Sequence, residues 1–95
     1  MKFSEKLNEY MENLDCSAKE ICDASGLSQA TLSRYRSGER TPDIGTDSFE
    51  KLCVAIAAIA QYRLATDITE ESVSSAFLGC EDICTVDFER MRLNF

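Results

Sequence analysis

Gln29, Ala30, Thr31, Ser33 and Arg34 lie close together in a segment that reads GLSQATLSRYRSGERTP from Gly26 to Pro42. Each is slim or ends in a flexible hydrogen-bonding group. Arg34, Arg36 and Arg40 share the segment with one carboxylate, Glu39. Glutamine presents a paired donor and acceptor, which matches the exposed edge of adenine. Arginine presents parallel donors that match guanine, and an alanine or threonine methyl can rest on the methyl of thymine. The chain has no histidine, so the usual nucleophile–base pairs are missing, and no glycine-rich loop is present to cradle a phosphate. No catalytic residue and no cofactor are expected.

Five cysteines are present: Cys16, Cys22, Cys53, Cys80 and Cys84. A zinc site wants four ligands, usually cysteine or histidine, and Cys22 and Cys53 fall at apolar helical positions where a thiol acts as a small hydrophobe. No metal site is expected. Cys80 and Cys84 stand one helical turn apart, but Glu81 and Asp82 oppose the electropositive setting that a redox thiol needs. The odd number suits free thiols in a reducing compartment. The first residues run straight into an amphipathic pattern rather than a leader, and the apolar run from Val54 to Ala60 is far shorter than the ~20 residues of a membrane span. A cytoplasmic protein is expected.

The elements that must carry the polar segment follow from apolar spacing. Phe3, Leu7, Tyr10, Met11 and Leu14 recur at helical intervals and predict a first helix. Ser17 and Glu20 form a capping-box pattern that opens a short helix over 18–24, with Ile21 inward. Gly26 supplies the left-handed turn between helices. Ser28 then caps a third helix over 29–36, with Leu32 and Tyr35 toward the core, and Ser37-Gly38 stops it. After a loop containing Pro42, Thr46 or Asp47 starts a fourth helix through about Arg63, packed by Phe49, Leu52, Cys53, Ile56 and Ile59. Thr69 with Glu70 and Glu71 starts a fifth, because carboxylates suit the positive end of the helix dipole. Val73, Ala76 and Phe77 give it an apolar stripe, and Gly79 can end it. Thr85 predicts a sixth helix with Val86, Phe88, Met91, Leu93 and Phe95. A faint echo of residues 3–8 from Phe88 onward raises a second reading, the start of another copy of the first unit.

The formal net charge is −7, which by itself argues against a polyanionic partner. Its distribution alters that conclusion. Residues 16–40 sum to +1, whereas residues 64–95 sum to −5, with Arg90 and Arg92 against seven carboxylates. A polyanion would have to meet only the middle of the chain.

A helix, a tight glycine turn and a second helix that begins with small polar side chains make the layout of a helix-turn-helix. Its second helix must fit a major groove about 12 Å wide. Residues 17–42, SAKEICDASGLSQATLSRYRSGERTP, resemble the Cro/phage-repressor (XRE-like) helix-turn-helix family. The likeness rests on Ile21-Cys22, on Gly26-Leu27-Ser28 at the turn, on Leu32, and on the Gly38-x-Arg40-x-Pro42 loop. With helices one and four it extends over about residues 3–62.

The resemblance implies an all-α, lambda-repressor-like bundle of five or six helices. It further implies sequence-specific binding of double-stranded DNA, often as a homodimer on a palindrome, a role in transcription regulation, and no catalysis. Carried over by position, Gln29, Ala30, Thr31, Ser33 and Arg34 face bases, while Ser17, Lys19, Ser28, Arg36, Arg40 and Thr41 lie near phosphates. Two positions depart from the family pattern. Ala18 stands where the family often has a glutamine that braces helix three and touches a phosphate. Arg36 stands where it often has glutamate, which adds positive charge near the DNA backbone and partly offsets the first loss.

Two regions are therefore expected: a helix-turn-helix domain over 1–64, and acidic C-terminal helices over 65–95 for dimerisation, contact with a further protein or the start of a further domain. Phe77, Leu78, Ile83, Val86 and Phe88 would supply the apolar contact surface. The rival reading is a protein-interaction module, antitoxin-like or dimerising, on the same scaffold. A positive strip around Lys19, Arg34, Arg36 and Arg40 favours DNA. A strip broken by Glu20, Asp23 and Glu39 favours the rival. A thiol-based sensor that binds DNA is a third reading.

Overall fold

The computed structural model describes residues 1–43 and 45–83. Cys84, the sixth helix expected from Thr85 and the echo of the first unit from Phe88 lie outside the described residues. Within them the chain forms five helices: α1 Phe3–Asn13, α2 Ala18–Ser25, α3 Gln29–Ser37, α4 Asp47–Tyr62 and α5 Glu70–Leu78.

Each start after α1 is set by one hydroxyl. The side chains of Ser17, Ser28, Thr46 and Thr69 accept hydrogen bonds from the amides of Glu20, Thr31, Phe49 and Ser72 respectively. Each satisfies an amide that the first helical turn leaves unpaired. The box expected at Ser17 is only half made. Glu20 does not reach back to the cap, because its carboxylate accepts from Arg63 Nη2 at 2.8 Å instead. Arg63 Nη1 also donates to the Leu14 carbonyl at 2.8 Å, so one guanidinium at the end of α4 ties down both the exit of α1 and the start of α2. Gly26 and Gly38, with φ of 79° and 82°, end α2 and α3 in the left-handed region. Only glycine enters that region without steric cost.

α4 is the central element. It packs on α2 and α5, while α1 rests on α3 and α5. Phe3, Leu7, Ile21, Leu32, Leu52, Ile56, Val73 and Phe77 are fully buried and form one continuous core. The Phe77 ring lies 4.6 Å from that of Phe3, 5.7 Å from Tyr10 and 6.2 Å from Phe49, centroid to centroid. Phe77 and Ile83 were expected to offer apolar surface to a partner. The structure corrects this: both are buried against their own chain, while Leu78 is exposed. Asp82 extends the attachment, accepting from the Phe3 amide at 2.7 Å and so capping α1 from 79 residues away.

Cys16, Cys22, Cys53 and Cys80 are free thiols, all buried. Burial pushes each of them up, Cys53 to about 12, with Glu70 and Glu50 adding to its shift. Little thiolate is available from these four at neutral pH, which weakens the thiol-sensor reading at the described cysteines. The raised value also makes stability pH-dependent. Above the ordinary thiol value of 9.0 the unfolded chain releases the Cys53 proton while the folded chain retains it. The folded state then binds more protons than the unfolded state, and stability falls as pH rises from about 9 toward 12. Melting temperatures across this range should drop more gently in Cys53→Ala than in the wild type. Equal slopes would show that another group governs alkaline unfolding.

Candidate nucleic-acid interface

α3 turns Leu32 and Tyr35 into the core. At 3.6 residues per turn, the opposite face centres on Ala30, Ser33, Arg34 and Ser37, and all four are exposed. Gln29 and Arg36 flank this face on the side of α1. Thr31 flanks it on the other side, half-buried. Its hydroxyl accepts from that of Ser28 at 2.8 Å, while Ser28 also caps the Thr31 amide. Ser28 and Thr31 therefore hold each other at the tip of α3. Gln29, Ala30, Ser33 and Arg34 present their side chains outward.

The residues assigned to phosphates surround this face. Ser17 and Lys19 are exposed at the start of α2, and Arg36 is exposed in the last turn of α3. The Arg40 amide donates to the Arg34 carbonyl at 3.3 Å, which folds the following loop back against the end of α3. Arg40 is exposed and Thr41 half-buried, while Pro42 is buried and anchors the loop.

Between α1 and the starts of α2 and α3 runs an open groove of about 840 Å³. Ala18 and Gln29 line it, and the short Ala18 side chain leaves it unfilled. Arg36 and Ser33 stand on one side, and Glu12 and Asp15 on the other. This acidic rim was not among the carboxylates weighed from the sequence. It was missed because Glu12 and Asp15 precede the polar segment and reach it only through the packing of α1 on α3. Of the three carboxylates that were weighed, Glu20 is paired with Arg63. Asp23 and Glu39 are exposed.

A family model described as helix-turn-helix matches residues 7–46. This segment is a helix-turn-helix of the Cro/phage-repressor type. The helix-turn-helix so matched runs from within α1 to the cap of α4, and it contains every residue assigned above to bases and phosphates. A helix-turn-helix match over this segment supports DNA as a partner. Comparison with curated proteins and with solved structures gives no match. No helix among the described residues is long and apolar enough to cross a membrane.

The acidic rim gives a direct test of charge at this helix-turn-helix. Asp15 has φ of 51°, a left-handed conformation that asparagine also tolerates, so Asp15→Asn removes a charge without disturbing the backbone. A unit charge about 10 Å from a phosphate in water is worth roughly 0.4 kcal/mol. Asp15→Asn should therefore tighten DNA binding about twofold at low salt, and the gain should vanish as salt screens it. Fluorescence anisotropy at two ionic strengths measures both effects.

Proposed function

We propose that the protein is a sequence-specific, double-stranded DNA-binding regulator of transcription, acting in the cytoplasm, with α3 in the major groove. The observation that carries this reading is the outward face of α3. Gln29, Ala30, Ser33 and Arg34 project from a helix whose inner face is locked by Leu32 and Tyr35. A rigid helix with a slim hydrogen-bonding face is what base readout requires. Gln29 and Arg34 supply the bidentate contacts. Ala30 supplies a methyl-sized surface, and Ser33 and Thr31 supply hydroxyls. Ser17, Lys19, Ser28, Arg36, Arg40 and Thr41 fix the register on the phosphates, which contribute most of the affinity but no sequence information. A homodimer on a palindromic site is part of the same proposal.

The test is selection from a random pool of duplex DNA at two salt concentrations. Enrichment of one motif, with affinity that falls as salt rises, supports a sequence reader. Binding without enrichment would reduce the protein to a non-specific DNA binder. No binding at low salt would favour the scaffold as a protein-interaction module. One observation leans toward that second reading: Tyr62 and Leu64, beside the end of α4, are 88% and 84% exposed.

A further inference from the structure

We propose that Asn8 is a positioning residue of the DNA interface, holding Arg36 ready for a phosphate; this rests on the DNA-binding reading above. Asn8 lies on α1, 28 residues before Arg36, and grips it twice. Its Nδ2 donates to the Arg36 carbonyl at 3.0 Å, and its Oδ1 accepts from Arg36 Nε at 2.8 Å. The first bond satisfies a carbonyl in the last turn of α3, one of the four that a helix end leaves unpaired. The second fixes the direction of the guanidinium. Only Nε is used. Among the described residues, the two terminal nitrogens have no protein partner, and their parallel donors suit a bidentate phosphate contact.

The surrounding geometry makes this grip the main polar brace between α3 and the rest of the bundle. At the start of α3 nothing comparable exists among the described residues, since Ala18 has no polar group and the groove beside Gln29 is open. At the end of α3 the helices approach closely. A Cβ placed on Gly38 would stand 3.3 Å from Ser4 Oγ, and Ser4 lies one turn before Asn8 on the same side of α1. α3 is therefore held at its C-terminal end by α1, and its N-terminal end is left clear for bases. Fixing an arginine during folding also means that its side-chain freedom is not lost again on binding.

The experiment compares Asn8→Ala, Arg36→Ala, Arg36→Lys and the double variant Asn8→Ala/Arg36→Ala. The probe is a labelled duplex carrying the motif enriched from the pool, or a random-sequence duplex at low salt if no motif is enriched. Each variant is assayed well below its own melting temperature, so that a loss of stability is not read as a loss of binding. Arg36→Ala should weaken binding roughly tenfold and lower the salt slope by about one. Asn8→Ala should lose most of the same affinity but keep the slope, because the charge remains while its placement is lost. Arg36→Lys, which keeps the charge and lacks the guanidinium fork, should behave like Asn8→Ala. The double variant should bind no worse than Arg36→Ala alone.

Additive losses in the double variant would overturn the proposal, because Asn8 would then act independently of Arg36. Wild-type affinity in Asn8→Ala would do the same while leaving the DNA-binding reading intact. Failure of the wild type to bind any duplex would instead overturn that reading, and this proposal with it.

Discussion

Phe77→Ala is expected to destabilise the fold by about 3–5 kcal/mol, the usual cost of removing a fully buried aromatic side chain. Small domains are stable by only about 5–15 kcal/mol, so this one change should leave a large unfolded fraction or prevent folding. The reason is its position. Phe77 touches the rings of Phe3 and Tyr10 on α1 and of Phe49 on α4. Its removal opens a cavity where three helices meet. Urea denaturation followed by circular dichroism measures the loss. Leu78→Ala, one residue along and exposed, is the control and should cost under about 1 kcal/mol. A comparably small loss at Phe77 would mean that α5 only rests on a core that closes without it. DNA binding should fall in step with folding, because α1 carries the Asn8 grip on α3.

Arg34→Ala should have the opposite profile. The Arg34 side chain is exposed and makes no hydrogen bond to the described residues, although its backbone carbonyl receives Ser37 Oγ and the Arg40 amide. Stability should therefore change by less than about 0.5 kcal/mol. Affinity for the selected duplex should fall by about 1–3 kcal/mol, roughly fivefold to 160-fold, with discrimination lost at one base pair. Arg40→Ala is the contrast. It should weaken all sequences alike and lower the salt slope by about one. Repeating the pool selection with both variants separates the two behaviours. A uniform loss with Arg34→Ala would place that residue on a phosphate and leave the reading to Gln29 and its neighbours.

What was legible in the sequence was local. Ser17, Ser28 and Thr69 cap the helices they were expected to cap, and of Thr46 and Asp47 it is Thr46 that caps α4, because a cap and its amide are three residues apart. Gly26 and Gly38 end α2 and α3 because a left-handed residue is needed where the chain turns. The apolar spacing on each helix identified its inner face for the same reason: periodicity within one element needs no knowledge of the others. From those three signals the order of helices and the outward face of α3 follow directly.

The pairings between elements were not legible. Glu20 looked like half of a capping box, yet it pairs with Arg63, 43 residues away. The two bonds compete for one carboxylate, and a charged partner at 2.8 Å wins over a neutral amide. Asp82 looked like part of an acidic tail and instead caps α1. Phe77 and Ile83 looked available to a partner because an apolar stripe does not say which surface covers it. Asn8 carried no signal, since on an amphipathic helix it reads as an ordinary solvated position, and Asp15 read only as part of the break between α1 and α2. Local caps and periodicity thus determined which helices form and which face of α3 is polar. Only the tertiary structure decided which distant side chains brace that face and which charges border it, because those choices depend on how α1, α4 and α5 close around one core.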